Sequence, residues 1–154
     1  LPDALAKQLR QLDNPPLAVR VRLGDEVALG QALGVIADRN KPARERIKLI
    51  RAAGDVYLSR LKATLLGLVQ SESDAGVVTA ALLFLQRIDD PALGQAVAGR
   101  LADLPAAARS TAISFLASRA KWSGQLLDAV ESGRLAKRVA TQHANPAKIV
   151  VFCV

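Results

Sequence analysis

The chain predicts an all-α fold, a right-handed α-α superhelix of about three to four stacked helical hairpins. Three observations predict it. The apolar 51% of its 154 residues is carried by Ala, Leu and Val, with aromatics at 3%, which suits closely packed helices better than a sandwich or barrel built on Tyr, Phe and Trp. Apolar residues recur at helical spacing between Pro, Gly and Asp punctuation. Within Ala75 to Leu85, AGVVTAALLFL, only Thr79 has a polar side chain. A helix apolar all round has to be covered on every side, so this one implies neighbours before and after it and places Leu82 and Leu83 alike in the core.

The elements follow in order. Leu5, Leu9 and Leu12 give a first helix over Pro2 to Leu12, broken at Asp13-Asn14-Pro15-Pro16 because successive prolines remove donors and push the preceding residue out of the α region. A second helix spans Leu17 to Leu23. After the Gly24-Asp25 turn, with Asp25 as N-cap, Val27, Leu29, Leu33, Ile36 and Ala37 form a stripe as far as Asp38. Pro42 opens the next helix, with Ile47, Leu49 and Ile50 buried, and Gly54 ends it. Ser59 caps a helix striped by Leu61, Leu65, Leu68 and Val69, and the loop at residues 71–74 leads into the apolar helix. Asp89-Asp90-Pro91 opens a third pair with Leu93, Val97 and Leu101, a break at Asp103-Leu104-Pro105, then Ile113, Phe115 and Leu116. Ser123 caps a last helix through Leu126, Leu127 and Val130, with Trp122 just before the cap as a staple.

The grammar repeats. Ala28-Leu29-Gly30-Gln31-Ala32 recurs letter for letter at Ala92 to Ala96, an offset of 64, and Leu61 and Leu65 fall 32 residues after Leu29 and Leu33. A hairpin repeat of roughly 32 residues is slightly shorter than the HEAT or armadillo period. The middle pair is flanked on both sides, which accounts for its all-apolar second helix. Residues 1–134 read as one HEAT-like helical repeat domain and 135–154 as a C-terminal extension, with one more helix over Ala136 to His143 and a short apolar end after Pro146. With Leu1 first and no methionine anywhere, we expect a piece of a longer protein or a processed form.

The chemistry-bearing residues are few. A metal site needs several converging ligands, and the strong nitrogen and sulfur candidates are His143 and Cys153 alone; no metal or cofactor is expected, and no CxxCH, GxSxG, GxGxxG or P-loop is present. The carboxylate pairs Asp25-Glu26 and Asp89-Asp90 sit at helix starts, where capping and the helix dipole account for them. Tyr57, Phe84, Phe115 and Trp122 read as packing residues. The apolar run is too short to span a bilayer, so no membrane insertion is expected.

Net charge is +7, which favours encounter with anionic partners. At 100° per residue, Arg44, Lys48 and Arg51 cluster a quarter turn from Ala43, Ile47 and Ile50, with Arg39, Lys41 and Arg46 nearby. These three are the candidate partner-binding residues, for an acidic protein or nucleic acid. Nucleic acid is the less favoured: the matching flank is apolar in the middle pair and carries Thr111, Ser114 and Ser118 in the third, and aromatics for base stacking are nearly absent.

Three stretches carry a family resemblance: PPLAVRVRLGD at residues 15–25 with Ile36-Ala37-Asp38 and ARERIKLIR at 43–51, ALLFLQRIDDP at 81–91, and LASRAKWSGQLLDAVESGR at 116–134. Over residues 15 to 134 the chain resembles the HEAT-repeat segment of large bacterial membrane-bound dehydrogenases that carry a c-type haem domain. The resemblance implies an exported or periplasmic parent in which a propeller-type dehydrogenase module precedes the repeats and a CxxCH cytochrome c module follows. The matched motifs hold no catalytic or haem-binding residue. The implied role is a non-catalytic scaffold or spacer whose partners are neighbouring domains of the parent chain or an acidic protein. The end, AKIVVFCV at residues 147–154, departs from the polar helical continuation that the family would have.

Overall fold

The computed structural model describes residues 3–10 and 12–131. They form helices and connecting turns with no strand among them: α1 (Asp3–Arg10), α2 (Leu17–Arg22), α3 (Glu26–Ala37), α4 (Ala43–Gly54), α5 (Leu58–Ser71), α6 (Ala75–Leu85), α7 (Pro91–Arg100), α8 (Ala106–Ala117) and α9 (Ala120–Glu131). The all-α class holds. The domain boundary at 134, the helix expected over Ala136 to His143 and the apolar end lie outside the described residues.

The helix starts follow from local chemistry. Asp25, Asp74 and Asp90 accept hydrogen bonds from the amides of Ala28, Val77 and Ala92, each at 2.9 Å, which satisfies donors that the first helical turn leaves open. Pro42 and Pro105, at φ −55° and −51°, lead into α4 and α8. Gly24 adopts φ 89° in the turn between α2 and α3, a conformation that disfavours any side chain. Two expected caps fall elsewhere. α5 begins at Leu58, with Tyr57 ahead of it making no side-chain cap bond, so Ser59 lies inside the first turn. Ser123 sits within α9 and donates to the carbonyl of Arg119 at 3.1 Å; a serine hydroxyl bonds back to the preceding turn as readily as it caps.

The helices pair as α3 with α4, α5 with α6 and α7 with α8. Helices two apart also pack, α3 on α5, α5 on α7 and α7 on α9 in one series, α2 on α4, α4 on α6 and α6 on α8 in the other. One continuous core results, from Val21 and Ile36 through Ile50, Leu65, Leu82 and Leu93 to Phe115 and Trp122.

Burial shows the register. Arg46, Leu49, Ile50 and Ala53 in α4 match Val78, Ala81, Leu82 and Leu85 in α6 at an offset of 32; Leu61, Leu65 and Val69 match Leu93, Val97 and Leu101 at 32; Ala28, Ala32 and Ile36 match Leu61, Leu65 and Val69 at 33. From α3 to α7 the buried face therefore advances by 65, one more than the letter-for-letter repeat of 64. Gly94 is buried where Gly30 is exposed. The expected stripe of α3 shifts with it: Ala28, Leu29, Ala32 and Ile36 are buried, Leu33 is half-buried, and Val27 and Ala37 face solvent.

α6 corrects the expectation of a helix covered on every side. Leu82 is 0% exposed but Leu83 is 52% exposed. α5 covers one side of α6, and α4 and α8 cover its two flanks. The side away from α5 stays open. Gly76, Thr79 and Leu83 fall within about 60° of one another on a wheel of 100° per residue and mark it.

Candidate functional site

Arg44, Lys48 and Arg51 are exposed along α4, and among the described residues no ion pair engages them. Their sequence neighbours are otherwise occupied. Arg39 donates to the carbonyl of Ser71 at 2.7 Å. Arg46 is 2% exposed; its Nε donates to the carbonyl of Ile36 at 2.9 Å and its Nη2 to Glu72 Oε2 at 2.5 Å. Arg46 belongs to the interior, a correction to its place beside the basic stripe.

Glu72 completes that interior pair. Its other oxygen accepts from the amides of Ser73 and Asp74 at 2.8 and 3.0 Å. Burial pushes its carboxyl upward, but the Asp74 amide, the Arg46 guanidinium and the Ser73 amide together outweigh it and hold Glu72 below the ordinary value of 4.5. A buried carboxylate with three donors around it, one of them a guanidinium, is a structural tie between α3, α4 and the α5–α6 turn. Asp25 and Asp90 are also held low, Asp25 first by the Ala28 amide and then by Arg20, Asp90 first by Lys62 and then by the Ala92 amide. Both act as helix caps, as expected. Tyr57 is pushed up, chiefly by burial and then by the charge of Glu26.

Beside the basic stripe runs an open groove of about 270 Å³ lined by Ile47 and Arg51 of α4, Ala75, Gly76, Thr79, Ala80 and Leu83 of α6, and Ala107 of α8. Its volume falls just under the range of enclosed small-molecule sites, and its floor is nearly all small or apolar. Arg51 belongs to both features. Sequence reasoning found the basic wall and missed the apolar floor, because a single polar residue, Thr79, is a weak sign of which side is uncovered.

The aromatic residues pack, as expected. Phe115 and Trp122 stack at 4.4 Å with planes 6° apart, both buried. Trp122 is not ahead of a cap but in the first turn of α9, where Arg119 lies 4.8 Å from its ring centroid. Among the described residues no group of three or more His, Cys, Asp or Glu is placed to hold a metal ion, and no helix is long and apolar enough to cross a membrane. His143 and Cys153 lie outside the described residues. Comparison with family models, curated proteins and solved structures found no match.

Proposed function

We propose that the chain is a non-catalytic helical-repeat scaffold, a HEAT-like right-handed solenoid that spaces a dehydrogenase module from a cytochrome c module in a larger exported redox protein. What supports the scaffold is a step that recurs in four of the side-chain contacts between consecutive hairpins. Arg39 to the Ser71 carbonyl, Arg87 to the Gly54 carbonyl, Arg119 to the Gln86 carbonyl and Arg60 to Glu26 span 32, 33, 33 and 34 residues. A stack of similar units produces such a recurrence, since each unit touches only its neighbours. The family resemblance over residues 15 to 134 supports the redox context.

The flanking coding sequence tests the context: a propeller-type module upstream and CxxCH in the next domain are expected, and a reading frame bounded by these residues alone sinks the spacer role. The chain itself should give no dehydrogenase turnover; sustained reduction of a quinone or dye acceptor overturns the non-catalytic reading. A second reading, a stand-alone binding domain for an acidic protein or nucleic acid, is favoured by the exposed and unpaired Arg44, Lys48 and Arg51. Nucleic-acid affinity would fall steeply with salt and flatten on Arg44→Ala; no binding at low salt removes nucleic acid from that reading.

A further inference from the structure

We infer that the groove across α4, α6 and α8 is a docking site for an acidic amphipathic helix supplied by a different protein or a different domain. This deepens the scaffold reading, on which it rests, by naming the surface and the chemistry of what it takes.

The groove has the two features that such a segment reads. Its floor, Ala75, Gly76, Thr79, Ala80 and Ala107, carries short side chains that let a helix backbone come close, and Leu83, 52% exposed, and Ile47 line it with larger apolar side chains. From Gly76 to Leu83 the floor covers two turns of α6, about 10 Å at 1.5 Å per residue, matching apolar anchors spaced i, i+4 and i+7 on a docked helix. Arg51 lines the groove on the α4 side, and Arg44 and Lys48 continue the same exposed face. Carboxylates on the polar flank of the incoming helix would meet these cations, while α8 lines the groove with Ala107.

Charge also decides among the occupants. Residues 132–154 contain Arg134, Lys137, Arg138 and Lys148 and no Asp or Glu, so the chain's own C-terminal stretch does not complement the basic wall. A second copy meeting groove to groove would set two identical cationic walls together in a chain of net charge +7. Charge complementarity points to an acidic partner.

The test is selection from a random-sequence displayed peptide library against the full chain, with the Leu83→Lys chain as counter-selector. Recovered peptides should carry an acidic excess with apolar residues at helical spacing. Their affinity should drop at least tenfold on Leu83→Ser and on Arg51→Glu, and the chain carrying Arg44→Glu, Lys48→Glu and Arg51→Glu should select basic peptides instead. Because all these side chains are solvent-facing, the urea midpoint should stay put and serves as the folding control. The inference is overturned if peptides recovered are neutral or basic, if none is recovered from a folded chain, or if Leu83→Ser leaves binding intact. It is overturned equally if an oligonucleotide, and not an acidic peptide, protects Leu83, or if sedimentation shows a dimer that Leu83→Ser dissolves. Failure here removes the groove and leaves the spacer reading standing, since that reading falls on the flanking sequence.

Discussion

At the scale of single residues, identical letters do different work. A Cβ built at Gly94 meets the Trp122 ring and Gln125 Oε1 at 2.3 Å, whereas one at Gly30 meets nothing within 4 Å. Trp122 is clamped by its stack on Phe115 and has nowhere to give. Gly94→Ala should therefore destabilise by about 1–3 kcal/mol through overpacking, partly offset by helix propensity, while Gly30→Ala should stabilise by about 0.5–1 kcal/mol. Urea unfolding of both variants checks the contrast, and equal shifts would contradict the register of 65. Leu82 and Leu83 form a second contrast. Leu82→Asp buries an unpaired charge and should cost several kcal/mol, enough to unfold a domain of ordinary stability; Leu83→Asp should change stability by no more than roughly 1 kcal/mol. A circular-dichroism melt separates the two. Heptad-like spacing made Leu61, Leu65, Leu93 and Val97 legible as core from sequence. Leu83 was not legible, because a helix shows its open side through polar residues and this one has a lone threonine.

At the scale of elements, the Arg46–Glu72 pair shows why part of the interior was hidden. An arginine on a basic helix reads as solvent-facing, and its partner lies 26 residues away on a turn that reads as polar loop. The pair ties α4 to the entry of α6 while Arg46 also satisfies the Ile36 carbonyl near the end of α3, so three elements share one guanidinium. Removing either partner leaves a buried charge unmatched, and Glu72→Gln or Arg46→Met should each cost about 3–5 kcal/mol. The double variant should recover part of that loss, as measured in a double-mutant cycle. The pair also gives the pH dependence its direction. Glu72 is held below its ordinary 4.5 when folded, so its contribution is present above that value and is lost as pH falls through the folded one. Asp25 and Asp90 act in the same direction. The wild-type urea midpoint should fall on acidification from neutrality to below 4.5, and in Glu72→Gln the fall should be shallower. A midpoint in Glu72→Gln that falls as steeply as wild type would show that the carboxylate does not carry this linkage.

At the scale of the whole molecule, the contacts spaced 32 to 34 residues apart determine how far a local loss travels. Arg119 donates to the Gln86 carbonyl at 3.0 Å, and the next residue, Arg87, reaches back to the Gly54 carbonyl at 3.4 Å. The two bonds form consecutive rungs through one short segment after α6. Arg87 lies at the long end of hydrogen-bond geometry and half its side chain is exposed, so Arg87→Ala alone should cost under about 1 kcal/mol. Arg119→Ala should cost more, since it also loses the Trp122 ring and the ion pair with Asp89 at 3.1 Å. Because Gln86 and Arg87 are adjacent, losing the Arg119 rung frees the backbone that aims Arg87, and the double variant should depart from additivity by about 0.5 kcal/mol or more. Arg39 bridges the α3 exit to Ser71, in the other series of helices and toward the other end of the chain. Arg39→Ala combined with Arg119→Ala should then add within about 0.5 kcal/mol. Units that touch only their neighbours require this pattern of near coupling and distant independence; strong coupling between Arg39 and Arg119 would instead mark a single bundle whose helices all share one core, and urea unfolding of the six chains distinguishes the two.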